Sequence, residues 1–353
     1  MTEVRTAERQ AVVAATEMKR PPDGLRLRPY AGEADIPVIV DIVNRELEHE
    51  NMPFRESVAD VRAWLSHPNE KFDAARDITM AEIDGQAVAW ASRSWVDTTL
   101  DNFREYRNDG AVVPEWRRRG IGTALLAHNI QRARNLAQTH ETDRPRILGS
   151  WTGDRMIGAH ALVRSFGFEP VRWFFEMTRD LSQPIPDVPL PDGLAVRPVE
   201  AEKIRQIWDA DVEAFLDHWG GFDGSEENYQ RFLGRPAFDP TLWVIAWDGD
   251  EVAGGVVNAI ETEENEALGV KRGWLHSVFT RREWRKRGLA NALIARSLIA
   301  IRDRGMDTGI LGVDADNPTG ALGLYERNGF VVAERSTAWR RPLDMPEPDG
   351  GHS

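Results

Sequence analysis

The chain has 353 residues, 41% of them hydrophobic, and its 57 Asp and Glu against 44 Lys and Arg leave a formal charge of −13 at pH 7. This length exceeds one ordinary core and suits two domains, while the acidic balance repels a polyphosphate backbone and argues against nucleic acid as a partner. With no cysteine, disulfides, thiolate metal sites and cysteine nucleophiles are excluded, and a cytoplasmic protein is the default expectation.

Residues 1–22 read as a polar extension; its apolar run AVVAA at 11–15 is too short for a signal core or a membrane span. DGLRLRP, from Asp23, alternates as a strand does, and EIDGQAV predicts a hairpin turning at Asp84-Gly85. GAVV then reads as a strand running into PEWRRRG, followed by a helix with Ile121, Leu125, Leu126, Ile130 and Ala133 on one face; SFGF ends at Phe168. Four prolines in QPIPDVPLPDG, 183–193, deny both helix and sheet and predict a linker.

The landmarks then recur in the same order. DGLAVRP starts at Asp192, AWDGDEV predicts a turn at Asp248-Gly249, and WLHSVFT (274–280) reads as a strand before RREWRKRG. A helix over about 288–304 carries Leu289, Leu293, Ile294, Leu298 and Ile301 and stops at Gly305; RNGF ends at Phe330. The offsets of 169, 164, 168 and 162 differ only by loop-sized insertions, so the chain reads as a tandem duplication. The expected parts are a domain at 23–182, the linker, a domain at 194–343, and a disordered tail at 344–353. Each copy runs strand, helices, strand meander, glycine turn, helix, strand, helix, final strands. The predicted fold is therefore mixed α/β (α+β), two tandem domains, each with a mixed, mostly antiparallel sheet flanked by helices.

The glycine turns carry the chemistry. A strand-turn-helix with glycine at the turn exposes the unpaired N–H groups of the first helical turn, where the helix dipole adds partial positive charge. A Walker turn is excluded because Thr123-Ala124 and Leu289-Ala290 stand where Lys-Ser/Thr is needed, and a dinucleotide fingerprint because Leu125 replaces its third glycine. What fits is R-x-x-G-x-G/A: Arg117, Gly120 and Gly122 in one copy, Arg285, Gly288 and Ala290 in the other. This resembles the pyrophosphate loop of the GNAT superfamily of acyl-CoA-dependent N-acetyltransferases. The tandem arrangement is similar to that of two-domain actinobacterial acetyltransferases, the mycothiol synthases among them.

The resemblance covers about 24–343 and implies acetyl-CoA as cofactor and the primary amine of a small molecule or peptide as acceptor. It implies that Val278, Phe279 and Thr280, then Arg285, Lys286, Arg287, Gly288, Leu289, Ala290 and Asn291, hold the cofactor in the second copy, with Asn317 further on. In the first copy the corresponding residues are Val112, Val113, Arg117, Arg118, Arg119, Gly120, Ile121, Gly122 and Thr123. Tyr325 is the implied acid for the departing thiolate, since a phenol of reference pKa about 10 stays protonated at neutral pH. Counting back from Phe168 and Phe330 sets Val163 opposite Tyr325 and Arg155 opposite Asn317, so the first copy is expected to be degenerate, with reaction confined to the second.

Each assignment has a plainer alternative: Tyr325 as a packed helix residue, Asn317 as a helix cap ahead of Pro318, His276 as a core or rim histidine instead of the base. Glu261, Glu263 and Glu264 read as a solvated loop, though they are alternative bases. Asp217, His218 and Trp219 in AFLDHWGGFDG stand where the family places acceptor-binding helices, or form a packed loop. A non-catalytic CoA-binding regulatory or scaffold module is the alternative from another class, separable by a thiol-release assay. The sequence names no metal and leaves the oligomeric state open.

Overall fold

The computed structural model of the protein describes residues 20–216, 218–220, 222–316 and 320–346. The start of the N-terminal extension, Asp217, Asn317 and the end of the tail lie outside the described residues. In the first half, β1 (Arg26–Pro29) is followed by α1 (Ile36–His49), α2 (Val58–Leu65) and the short α3 (Ala74–Asp77), then by β2 (Ile78–Ile83), β3 (Gln86–Asp97) and β4 (Arg104–Val112). After the first glycine turn come α4 (Ile121–Thr139), β5 (Arg146–Gly153), α5 (Ile157–Ser165) and β6 (Glu169–Asp180).

The second half repeats this with β7 (Leu194–Val196), α6 (Ile204–Phe215), α7 (Glu226–Leu233), β8 (Val244–Asp248) and β9 (Glu251–Ala259). An added α8 (Thr262–Leu268) precedes β10 (Arg272–Thr280), the second glycine turn, α9 (Leu289–Asp303), β11 (Thr308–Asp314), α10 (Ala321–Arg327) and β12 (Val331–Pro342). The amphipathic faces read from sequence are the buried ones: Ile121, Leu125, Ile130 and Ala133 on α4, and Leu289, Leu293, Ile294, Leu298 and Ile301 on α9, are each at most 4% exposed.

All twelve strands join one sheet in the order β1-β2-β3-β4-β5-β12-β6-β11-β10-β9-β8-β7. Two pairings are parallel, β4 with β5 and β10 with β11; the others are antiparallel. The closing strands are exchanged: β6, from the first half, pairs with β11 from Thr308↔Asp180 to Asp314↔Phe174, while β12, from the second, pairs with β5 from Pro342↔Ile147 to Ser336↔Gly153. The proline-rich segment is strapped to the second half, since Arg296 donates to Val188 O (2.6 Å) and Arg287 to Asp192 O (3.2 Å).

One turn differs from expectation. The first hairpin turns at Asp84-Gly85, both with positive φ (51° and 79°), but Asp248 pairs with Glu251, so the second turns at Gly249-Asp250 with positive φ only at Gly249. DGD offers two registers, and the one with glycine at the first turn position is taken, which suits the primed hairpin turn that needs a positive φ only there. Among the described residues no helix is long and apolar enough to cross a membrane.

Candidate active site

Both parallel pairs come apart. β10 is bonded to β9 as far as Thr280 but to β11 only as far as Trp274↔Ile310; β4 is bonded to β3 as far as Val112 but to β5 only as far as Asn108↔Ser150. Each gap therefore opens just before its glycine turn. Peptide groups alternate along a strand, and Arg281 N–H donates to Ala253 O on the β9 side, so the N–H groups of Val278 and Thr280 face the gap. Phe279 buries its side chain on the α6 side.

The turns themselves match. Arg118 and Lys286 are left-handed (φ 60° and 62°), as are Gly120 and Gly288 (82° and 84°), which cap α4 and α9 with no side-chain hydrogen bond. A side chain at those two glycines would meet the left-handed penalty of about 1–2 kcal/mol. Arg117 Nε donates to Val112 O (3.2 Å) and Arg285 Nε to Thr280 O (3.0 Å), tying each loop to its strand. Both loops thus present Ile121–Thr123 and Leu289–Asn291 as uncapped helix starts, a cradle that fits a pyrophosphate. Their electrostatics differ: Arg117 lies between Glu50 and Glu46 (2.8 Å to the latter), and burial pushes Glu46 up to about 7 even with the guanidinium beside it.

The larger differences lie in the gaps. β10 carries a bulge at His276, between Leu275↔Asn258 and Ser277↔Val257, whereas β4 pairs with β3 without interruption. Gly110 corresponds to Val278, and its N–H is taken by the Asp109 carboxylate (2.8 Å). The amide that would polarise a thioester in the first half is already satisfied. The tyrosine is missing there too. Phe168 N–H bonds Val163 O at 3.1 Å and Phe330 N–H bonds Tyr325 O at 3.1 Å, so the two helix ends superpose bond for bond with valine opposite tyrosine.

The second gap holds a cavity of about 270 Å³ that passes through the sheet. Leu275, Val278, Val313 and Tyr325 line its α9 side; His276, Gly312, Asp314, Phe174, Phe215 and the aromatic loop line the other. Tyr325 is 6% exposed and burial pushes its hydroxyl up to about 12. His276 stacks on Trp274 (5.3 Å between centroids) and its Nε2 is 2.8 Å from Glu261 Oε1. Burial opposes the charge of Glu261, but the hydrogen bond and charge of His276 outweigh it and hold the carboxyl below its ordinary value.

The expected solvated loop at 261–264 is a correction. Glu263 is exposed as expected, but Glu264 is 8% exposed, 3.2 Å from Arg272 Nη2 and bonded by Trp274 Nε1 (3.2 Å), because α8 folds Glu264 onto β10, as Glu261 is held by His276. His218 and Trp219 do stand at the cavity. Phe215 stacks on His218 (4.2 Å), and Trp219 lies under the Arg340 guanidinium (4.0 Å) beside Phe174 and Trp151. The first half holds this loop: Arg107 donates to Gly220 O (2.7 Å) and Lys71 pairs with Asp223 (2.8 Å).

Sequence reading missed Asp211 on α6, whose Oδ1 accepts from Ser277 Oγ (2.6 Å) behind the gap. Burial pushes Asp211 up to about 7, the hydrogen bond only partly opposing it. An unfolded aspartate titrates near 3.9, so between about pH 4 and 7 the unfolded chain loses this proton first and stability falls as pH rises. Asp211→Asn, which keeps an acceptor for Ser277, is expected to stabilise the fold by on the order of 4 kcal/mol at pH 8 and by less at pH 5, read as a larger rise in Tm at the alkaline pH. Equal gains at both pH values would remove Asp211 as the source.

Comparison with known proteins agrees on both halves. Residues 204–330 match a model described as Acetyltransferase (GNAT) family, and 74–170 one described as Acetyltransferase (GNAT) domain. A mycothiol acetyltransferase of Geodermatophilus obscurus is 31% identical over 272 residues, covering 75% of this chain and 82% of that one. Another, of Salinispora arenicola, is 30% identical over 260 residues, covering 73% and 78%. Among solved structures, a GCN5-related N-acetyltransferase from Sphaerobacter thermophilus superposes with a TM-score of 0.68 at 26% identity over 94% of this chain and 99% of that one. A tandem GNAT protein from the clavulanic acid biosynthesis pathway shares the fold (TM-score 0.69, 18% identity, 92% and 100% covered).

Proposed function

The chain belongs to the GNAT family of acetyl-CoA-dependent N-acetyltransferases, and from that premise we propose that its reaction runs in the second half, within residues 194–343. The observation that carries this is the contrast between Val278, whose N–H faces an open cavity containing Tyr325, and Gly110, whose N–H is taken by Asp109 in a half with Val163 in the tyrosine's place. Acetyl-CoA supplies an activated thioester; the protein supplies the groups around it. The start of α9 and the turn at Arg285–Gly288 take the pyrophosphate, and Val278 N–H polarises the thioester carbonyl.

His276 acts as base. Its Nε2–H donates to Glu261, which leaves the Nδ1 lone pair to accept the amine's proton, the orienting logic of a histidine-carboxylate pair. The amine nitrogen then forms the C–N bond, the C–S bond breaks with its electron pair going to sulfur, and the Tyr325 hydroxyl protonates the thiolate. The acceptor is a primary amine of a small molecule or peptide. The names of the relatives favour a mycothiol precursor as a second reading, which direct assay with that compound separates from a general amine panel.

Ala290→Asp tests the placement. It sets a carboxylate in the first turn of α9, where the dipole favours it for helix stability but where it repels pyrophosphate. Tm is expected to hold while acetyl-CoA affinity falls by about 100-fold or more, roughly 2.7 kcal/mol, and thiol release with it. Unchanged affinity and turnover would move the reaction out of the second half.

A further inference from the structure

The strand exchange places a residue of the first half beside the second half's gap, on the strand next to β11. In the order β10, β11, β6 three residues stand level. His276 lies two beyond the last parallel pair Trp274↔Ile310, Gly312 lies two beyond Ile310, and Gly312 pairs with Glu176. His276 stacks on Trp274, and directly paired residues share a face, so His276, Gly312 and Glu176 all belong to the face opposite α9. A Cβ at Gly312 would meet nothing within 4 Å, and Gly312 lines the cavity. The result is an open slot over Gly312, with the imidazole across the gap on one flank and, on the other, the Glu176 strand one hydrogen-bonded spacing of about 4.8 Å away.

Glu176 has no partner that accounts for it. Its Oε1 is buried without a hydrogen-bond donor among the described residues. The charges facing it are Arg272, Glu264 and Glu334. Arg272 gives Nη1 to Pro53 O and lies 3.2 Å from Glu264, while its Nε and Nη2, like Glu176 Oε1, have no hydrogen-bond partner among the described residues; Glu334 is paired with Arg155. A buried carboxyl with an unmet acceptor costs stability unless something donates to it, and burial pushes Glu176 up to about 7.

We propose that the acceptor's amine is seated over Gly312 as an ammonium ion, held by Glu176 from the exchanged strand and facing His276, so that Glu176 makes a cationic head group a condition of acceptance. This rests on the reading of the second half as the acetyl-transfer site. The missing side chain at Gly312 gives the ammonium room, and Phe174 and Trp219, backed by Trp151, bound the slot on the face opposite α9. Glu176 binds and orients; the proton still leaves through His276.

The test uses the full chain, with thiol release measured for tyramine, glucosamine, putrescine and alanine methyl ester. For the probe with the highest kcat/KM, Glu176→Gln is expected to raise KM at least tenfold while leaving acetyl-CoA affinity unchanged. Gly312→Ala is expected to do the same with Tm unaltered, because its methyl group meets only the slot. A wild-type KM in Glu176→Gln with acetyl-CoA bound overturns the assignment and leaves the second-half reading intact, as does an absence of turnover with every probe while acetyl-CoA binds. Failure of the unaltered chain to bind acetyl-CoA would instead sink the reading beneath it.

Discussion

Tyr325→Phe is expected to lower kcat for amine-dependent thiol release by about 10²- to 10⁴-fold, the usual span for removing a positioned proton donor, with acetyl-CoA affinity unchanged. The substitution is conservative for the fold, since the ring packs edge-on to Phe330 (6.0 Å) within the core under α9 and only the hydroxyl is lost. That hydroxyl reaches the cavity from a buried position, and burial alone keeps it protonated far above neutral pH. A phenol so shifted is a weak acid in water. The same desolvation raises the proton affinity of a thiolate leaving into the cavity, so donor and acceptor move together. A kcat within threefold of the unaltered chain would show that the thiolate takes its proton elsewhere, and Tyr325 would revert to a packing residue.

The elements were legible in the sequence because periodicity and punctuation are local. Leu289, Leu293, Ile294, Leu298 and Ile301 mark the α9 face, and Gly305, with φ of 84°, marks its end. Repetition made the two glycine turns legible and set Val163 against Tyr325, a register that the matching Phe168 and Phe330 hydrogen bonds share. What repetition hides is which copy a strand serves. β6 and β12 occupy equivalent places in the two copies, so either could close its own sheet or its twin's, and the alternation of side chains is the same in both cases. Nothing in the sequence around Glu176 therefore says which half it serves. The fates of Glu261 and Glu264 were hidden for a related reason: their partners His276 and Arg272 lie on the next strand, and α8 has no counterpart in the first half to compare. Asp109 in RNDGAVV belongs to no motif, and only the gap beside β4 gives its contact with Gly110 N–H a meaning.

The exchange makes the two halves one folding unit, and a chain ended at Ser182 is expected not to fold. Within such a fragment β6 loses both of its neighbours, β11 and β12, and β5 loses its β12 edge. Trp339 (1% exposed) and Leu343 (2%) leave the cluster of Tyr106, Leu148, Phe166 and Phe168, and Arg341 no longer caps Phe166 O. Loss of a buried Trp and a buried Leu side chain costs about 3–5 and 2–5 kcal/mol, together comparable to the whole stability of an ordinary domain at about 5–15 kcal/mol. Two bare apolar edges then invite intermolecular pairing. The fragment is expected to aggregate or to lack a cooperative thermal transition by circular dichroism, and co-expression with 183–353 is expected to restore a soluble complex that releases thiol. A monomeric 20–182 fragment with a sharp transition would refute this. If the fragments do depend on each other, the first half is retained for concrete reasons although its own gap is blocked: it supplies β6 and Glu176, and its Arg107 and Lys71 hold the loop bearing His218 and Trp219 over the second half's cavity.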